Sequence, residues 1–195
     1  MFFLTIKSIK ESRFTLGILS INVILFFIVN VSNYSEIFYL MILINERVIN
    51  HHEIWRLFTS MFIHADYSHL LSNMFGLILF GSYVEQVFRK AQYLLIYFIS
   101  GFVGNLFTLL LFPLYTISYG ASGAIFGLIG ASFITILYER DKILLVFAIF
   151  YVLYFILASF APNINLWAHL FGLLTGLIIS FIAVKYAKIL ENKED

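Results

Sequence analysis

Four polar side chains of this 195-residue sequence are of the types that cooperate in acyl transfer. Ser122 supplies a hydroxyl and His169 an imidazole, and a neutral histidine within hydrogen-bond reach turns a serine into a nucleophile. His69 and Asn73 are four residues apart, so on a helix they share one face and could both donate hydrogen bonds to an oxyanion. The backbone N–H of Ser122 would add a donor at a helix N-terminus. These residue types predict a serine hydrolase.

The rest of the sequence indicates that these groups lie in a membrane. It is 62% hydrophobic and 12% charged, whereas soluble domains contain about 45–50% apolar and about 25% charged residues. Six apolar runs are long enough to cross a bilayer as helices. We therefore expect one all-α, polytopic domain over residues 1–195, a six-helix bundle with spans near 14–32, 68–88, 91–112, 120–138, 143–160 and 165–187.

The segment 33–67 between the first two spans is too long for a turn, and it mixes apolar with polar residues. This composition is typical of short helices lying in the membrane interface, and we expect an interfacial loop there. Placing the N-terminus inside puts ten basic residues on the cytoplasmic side and leaves only Arg47 and Arg56 outside. Both termini are then cytoplasmic, and the polar side chains face the extracytoplasmic side. The short N-terminus favours a bacterial plasma membrane.

Small residues on the fourth and sixth spans predict which helices touch. They are Gly123, Gly127, Gly130 and Ala131 after the serine, and Gly172 and Gly176 after the histidine. Rows of small residues let helix backbones approach closely in a membrane. We expect the two spans to pack through these rows and to bring Ser122 and His169 together. Leu177 and Ile178 are expected to face lipid.

The acidic residues favour a catalytic dyad over a triad. Serine hydrolases usually orient the histidine with a carboxylate. Asp66 lies in the loop ahead of the second span, and Glu85 lies near the inner end of that span. Neither position predicts a carboxylate beside His169. The net charge of +1 is accounted for by the topology, so no nucleic-acid partner is expected.

Four motifs together resemble the rhomboid proteases. They are Trp55-Arg56, His64-x-x-x-x-His69-x-x-x-Asn73, Gly120-Ala121-Ser122-Gly123 and Ala168-His169-x-x-Gly172-x-x-x-Gly176. The resemblance implies a compact six-helix protein that cleaves membrane-anchored proteins within or beside their transmembrane segments, without a metal or other cofactor. Its partners would be transmembrane protein substrates and the lipid bilayer, while the oligomeric state does not follow from the sequence.

The resemblance also implies a role for individual residues. Ser122 corresponds to the nucleophile and His169 to its base, while His69 and Asn73 correspond to the oxyanion-stabilising pair. Positions expected to shape or support the site are Trp55, Arg56, His64, Glu85, Gly120 and Gly123. Phe126 departs from the family, which often has a tyrosine stacked on the histidine here. Phenylalanine keeps the ring for that stacking and lacks the hydroxyl.

Two other functions compete with proteolysis. The pair His64 and His69, or the pair His51 and His52, could bind a divalent ion in a metal-ion transporter, with His169 as a further ligand. However, no intramembrane carboxylate pathway accompanies them. A non-catalytic rhomboid-like protein that binds client helices is the second alternative. Loss of a dyad residue would favour it, and this sequence retains both.

Overall fold

The fold is a bundle of helices with one minimal strand pair, and the computed structural model describes residues 5–31, 35–139, 142–160 and 164–191. The long helices are α2 (Arg13–Val31), α8 (Lys90–Leu111), α9 (Ser122–Glu139), α10 (Lys142–Ala158) and α11 (Leu166–Glu191). The shorter ones are α1 (Ile6–Glu11), α3 (Ser35–Met41), α4 (Asn45–His51), α5 (Arg56–Thr59), α6 (Tyr67–Gly76) and α7 (Ser82–Val87). A π-helical stretch, Leu77–Gly81, joins α6 to α7, and a 3-10 turn, Ser60–Phe62, follows α5.

Over the residues that the structure describes, each of the six predicted spans is mainly helical. Within the described residues, four helices are long and apolar enough to cross a membrane, over Arg13–Asn30, Lys90–Leu111, Ser122–Glu139 and Leu166–Tyr186. The second predicted span is the unbroken run of α6, the π-helical stretch and α7, and the fifth is the 17-residue α10. Thus the all-α class is confirmed, while a count of six membrane crossings stays a prediction. Between the predicted fourth and fifth spans, residues 140–141 lie outside the described residues.

The predicted interfacial loop folds as short helices that a buried arginine holds together. Arg56 donates from Nη1 to the carbonyl oxygens of Tyr39 and Ile42, the latter at 2.7 Å, and from Nε to Glu53 Oε2 at 2.6 Å. Trp55 donates its indole N–H to the carbonyl oxygen of Leu40 at 3.3 Å. The location of this loop in the membrane interface stays a prediction.

A two-stranded antiparallel pair links this loop to the segment that precedes α9. Strand β1, Leu43–Ile44, pairs with β2, Ile117–Ser118. Two further backbone contacts continue the link, because Asn45 N–H donates to Thr116 O at 3.2 Å and Gly120 N–H donates to Ser60 O at 2.9 Å. The first loop therefore fixes the backbone immediately ahead of Ser122.

The close contact predicted between the two glycine rows is confirmed. A methyl group built on Gly172 would lie 2.1 Å from Gly123 O, and one built on Gly176 would lie 1.9 Å from Gly127 O. Carbon and oxygen cannot approach so closely, so only hydrogen fits at both positions of α11. Gly127 itself points elsewhere: its added methyl would meet Ser100 Oγ of α8 at 2.1 Å. The packing unit is therefore three helices, α8, α9 and α11.

One expectation about the lipid-facing surface is wrong. Leu177 packs against the core of the bundle, and its backbone nitrogen would lie 2.9 Å from a methyl group on Gly130. Ile178, its neighbour, is 59% exposed, as expected for a side chain on the outer surface. Since α11 contacts α9 through its glycine row, the residue after Gly176 turns towards α9, and only the next one turns away.

Glu85 has a structural role at the end of the bundle remote from Ser122. Its carboxylate accepts hydrogen bonds from Phe14 N–H at 3.0 Å and from Thr15 N–H at 2.8 Å, at the N-terminus of α2. The Thr15 hydroxyl donates to Glu85 Oε2 at 2.8 Å and lies 2.9 Å from the Tyr93 hydroxyl of α8. The carboxylate thus satisfies N–H groups that the start of a helix leaves unpaired.

We predict that Gly176→Ala destabilises the protein by about 2 kcal/mol or more, because the new methyl group would collide with backbone that cannot move aside. Gly17→Ala is the matched control, since a methyl group on Gly17 of α2 would meet nothing within 4 Å. In a helix interior that control should be neutral or slightly stabilising. Thermal unfolding of both variants in detergent is the measurement. Equal melting temperatures for the two variants would contradict the observed contact.

Candidate active site

Ser122 and His169 meet where α9 and α11 begin. Ser122 is the first residue of α9, and His169 lies in the first turn of α11. The distance from Ser122 Oγ to His169 Nε2 is 2.8 Å, a hydrogen bond. Asn165 fixes the start of α11 by accepting from Ala168 N–H at 3.0 Å. The two side chains approach each other as predicted. Helix α9, the fourth predicted span, begins at Ser122 instead of Gly120.

The imidazole of His169 packs against an aromatic ring, as the sequence led us to expect of Phe126. The two rings are stacked, with centroids 4.1 Å apart and planes 11° from parallel. Phe126 lies on α9 one turn after Ser122, so the same helix carries the hydroxyl and the surface on which the imidazole rests. Stacking fixes the plane of the imidazole.

The second imidazole nitrogen has a partner that the sequence reasoning missed. His169 Nδ1 lies 2.7 Å from the hydroxyl oxygen of Ser159, just after the end of α10. Ser159 is 2% exposed. A single serine at the end of a strongly apolar span was the available signal, because such a group needs a hydrogen-bond partner when it is buried.

The acidic residue nearest the site in sequence acts as a helix cap. Asp66 Oδ1 accepts a hydrogen bond from His69 N–H at 2.8 Å, at the N-terminus of α6. This geometry is that of an N-cap, in which the side chain pairs with an otherwise free N–H of the first turn. The carboxylate therefore positions the helix that carries His69 and Asn73.

His69 and Asn73 both line the cavity that contains Ser122 and His169. The Asn73 side chain donates one N–H to the backbone oxygen of His69 at 2.9 Å. An amide nitrogen carries two N–H groups, so a second donor remains for another acceptor. The two side chains thus stand on one face of α6, as the spacing predicted.

Gly120 allows the segment before Ser122 to pass directly beside His69. Its φ is +118°, in the region that favours glycine, and an added methyl group would lie 2.8 Å from both Cε1 and Nε2 of His69. The same position would be 3.9 Å from Asn73 Nδ2. Gly120 therefore brings the backbone ahead of the serine against the pair on α6.

His64 is a buried neighbour of His69. It is fully buried, and its ring contacts that of His69 edge to face with centroids 4.9 Å apart. Burial, and secondly the neighbouring His69, lower the pKa of His64 from the ordinary 6.5 to about 3. The ring is consequently neutral near pH 7.

The cavity that contains Ser122 and His169 has a volume of about 990 Å³. Its walls include most of the residues singled out from the sequence, together with the newly found serine: His69, Asn73, Gly120, Ser122, Gly123, Phe126, Ser159 and His169. Trp55, Arg56 and His64 are absent from the walls. The first two belong to the helical loop, where they hold its backbone, and the structure does not bring them to the serine.

The metal-transport alternative requires a cluster of ligating side chains. In the ranges that the structure describes, no group of three His, Asp or Glu side chains could hold a metal ion. His51 pairs with Glu46, with 3.2 Å between Nε2 and Oε1, and His52 ends α4 in a left-handed conformation. The metal-transport alternative gains no support from this arrangement.

Comparison with known proteins identifies a family. The rhomboid domain matches residues 51–186, more than half of the chain. YdcA of Bacillus subtilis (strain 168), named as a candidate rhomboid protease, is 40% identical over 140 residues, covering 68% of this chain and 69% of that protein. RHOMBOID-like protein 1 of Arabidopsis thaliana is 40% identical over 140 residues, covering 69% of this chain. Inactive RHOMBOID-like protein 8 of the same plant is 37% identical over 131 residues, covering 64%.

The chain spans only 36% of the length of each of these two plant relatives. The match to the bacterial relative covers 69% of that protein's length. Taken with the four apolar helices of membrane-spanning length, these matches show an integral membrane protein.

The lowered pKa of His64 predicts a pH dependence of stability. A histidine that is neutral when buried takes up a proton more readily in the unfolded chain, so its contribution is complete above about pH 6.5 and declines towards about pH 3. The melting temperature of the parent should therefore fall more steeply between pH 7 and pH 4 than that of His64→Gln, whose side chain does not titrate. Parallel curves for the two proteins would contradict the burial of an uncharged imidazole.

Proposed function

We propose that this chain, which belongs to the rhomboid family, is an intramembrane serine endopeptidase. It would cleave single-span membrane proteins within or next to their transmembrane segments. The observation that carries the proposal is the 2.8 Å contact between Ser122 Oγ and His169 Nε2 on the wall of a large cavity. A serine and a neutral imidazole at this distance have the geometry of a nucleophile and its general base.

In the proposed reaction the two residues act in sequence. The Ser122 oxygen attacks the carbonyl carbon of the scissile peptide bond while its proton passes to His169 Nε2. The resulting imidazolium then gives this proton to the departing amine, which leaves an acyl ester on Ser122. A water molecule, deprotonated by His169, cleaves the ester and restores the serine hydroxyl.

The negative charge on the substrate oxygen requires donors that are already in place. We assign this role to the backbone N–H of Ser122 and to the side chains of His69 and Asn73. Ser122 opens α9, where the first N–H groups have no partner within the helix. The Asn73 amide keeps one N–H beyond its bond to the His69 carbonyl. Gly120 supports the assignment, since it lets the serine segment lie against His69.

The membrane arrangement proposed with this activity has six spans and cytoplasmic termini. The run from α6 to α7 and the helix α10 would supply the two spans beyond the four long apolar helices. The site would then open to the extracytoplasmic side, with the short helices of the first loop in the interface. A bacterial plasma membrane is the proposed location, in keeping with the bacterial relative.

A non-catalytic role in binding client helices is the second candidate. One relative, 37% identical, carries the name of an inactive member, so the fold alone does not establish catalysis. The contact between Ser122 and His169 favours the enzyme, because a binding protein has no need of a base on the serine hydroxyl. Cleavage of a substrate separates the two functions.

We predict that Ser122→Ala and His169→Ala each abolish cleavage of a single-span model substrate in lipid vesicles. Removing either half of a cooperating pair should cost nearly as much as removing both. Asp66→Asn is the control: asparagine is an equally good helix cap, so the fold and the turnover should persist. Substantial turnover by either alanine variant would refute the dyad. A folded Asp66→Asn protein without turnover would instead indicate a catalytic carboxylate.

A further inference from the structure

The side of the imidazole that faces away from Ser122 is held by a second serine. Ser159 Oγ lies 2.7 Å from His169 Nδ1, and both side chains are buried. The two hydroxyls therefore stand at opposite nitrogens of one ring, with Ser122 Oγ 2.8 Å from Nε2. They lie at the ends of different helices, because Ser122 is the first residue of α9 and Ser159 directly follows α10.

The role of His169 as a base determines which atom donates in its hydrogen bond with Ser159. Ser122 can donate to Nε2 only if that nitrogen carries no proton, so the neutral ring must hold its proton on Nδ1. Ser159 Oγ is then the acceptor of the Nδ1 proton. A hydroxyl oxygen can accept one hydrogen bond while the hydroxyl donates its own proton to a different acceptor. Several other buried hydroxyls donate their proton to the carbonyl four residues back, as Ser132 does to Leu128 O at 2.9 Å.

Geometry explains why the imidazole needs this contact. Stacking on Phe126 fixes the plane of the ring but leaves it free to turn within that plane. A hydrogen bond to Nδ1 is directional and removes this freedom. Asp66, just ahead of α6, and Glu85, within α7, are engaged as caps of α6 and α2 respectively. Neither of them takes the place of Ser159 at Nδ1.

Ser159 is buried although much of the helix that precedes it is exposed. Leu153, Tyr154 and Leu157 of α10 are 50%, 64% and 69% exposed, whereas Ser159 is 2% exposed and lines the cavity. Its N–H donates to Ile156 O at 3.1 Å, so the chain turns inward as the helix ends. This turn directs the single described serine of the segment 142–160 towards His169.

We propose that Ser159 is a positioning residue for His169, an inference that rests on the proposed protease function. It accepts the Nδ1 proton, keeps Nε2 directed at Ser122, and stabilises the imidazolium that forms when Ser122 transfers its proton. The arrangement is a hydrogen-bonded chain of Ser122, His169 and Ser159, in which a neutral hydroxyl stands where many serine hydrolases have a carboxylate.

The test compares Ser159→Ala with Ser159→Thr, which keeps the hydroxyl, and with Ser132→Ala as a control for loss of a buried helical serine. Loss of a hydrogen bond to a charged ring should lower kcat about 10- to 100-fold in Ser159→Ala. KM should stay near the parent value, because Ser159 acts through His169. Ser159→Thr should recover most of kcat, and Ser132→Ala should match the parent.

Nitrogen-15 NMR of histidine-labelled protein provides a readout that needs no turnover. In the parent, the His169 resonances, assigned by their loss in His169→Ala, should show a protonated Nδ1 and an unprotonated Nε2. Ser159→Ala should give a mixture of the two tautomers. A purely structural serine would leave the tautomer unchanged.

Five results would overturn the inference. Three concern turnover: an unchanged kcat in Ser159→Ala, a loss of kcat that only follows the loss of folded protein, and a failure of Ser159→Thr to recover kcat in folded protein. Two concern the tautomer: a parent with the proton on Nε2, and an unchanged tautomer in Ser159→Ala. Failure of the protease proposal is recognised separately, because the parent would then either leave the substrate uncleaved or cleave it no faster than Ser122→Ala. In that event the tautomer measurement still decides whether Ser159 accepts the proton.

Discussion

Two helix backbones touch so closely in this protein that a single methyl group on Gly172 or Gly176 would lie 2.1 or 1.9 Å from a carbonyl oxygen of α9. The geometry of the site depends on this contact. Ser122 and His169 lie within one turn of it, at the first residue of α9 and in the first turn of α11. Because the backbones are in direct contact, the 2.8 Å distance between the two side chains is set by rigid elements, which is how catalytic geometry is best maintained.

Around this contact, hydrogen bonds from asparagine and arginine side chains hold the irregular segments in place. Asn165 donates to Thr108 Oγ1 at 2.8 Å and to Ser118 Oγ at 2.9 Å, and so joins the start of α11 to α8 and β2. Asn105 donates to Leu57 O at 2.8 Å, and Arg56 binds two further carbonyls of the first loop. Buried carbonyls need such donors, since water is scarce in an apolar bundle.

The sequence predicted the features that repeat or that combine several residue types. The glycine rows recur every few residues, and Ser122, His169, His69 and Asn73 fall near the same ends of three apolar runs, so their approach could be inferred. Ser159 was missed because one serine in an apolar run has no periodicity, and its direction depends on where α10 ends. The lipid-facing assignment of Leu177 failed for a related reason: a rotation of α11 by one residue decides which neighbour turns inward. The glycine rows also gave no sign of the contact between Gly127 and Ser100, which required the position of a third helix.

The proposed mechanism requires that His169 activate Ser122 as a nucleophile. The most direct measurement is reaction of the purified protein with a serine-directed fluorophosphonate, followed by mass spectrometry of the modified peptide. We expect a single modified serine, Ser122, and loss of the modification in His169→Ala while the protein remains folded. Modification of another serine, or undiminished modification of Ser122 in folded His169→Ala, would contradict it.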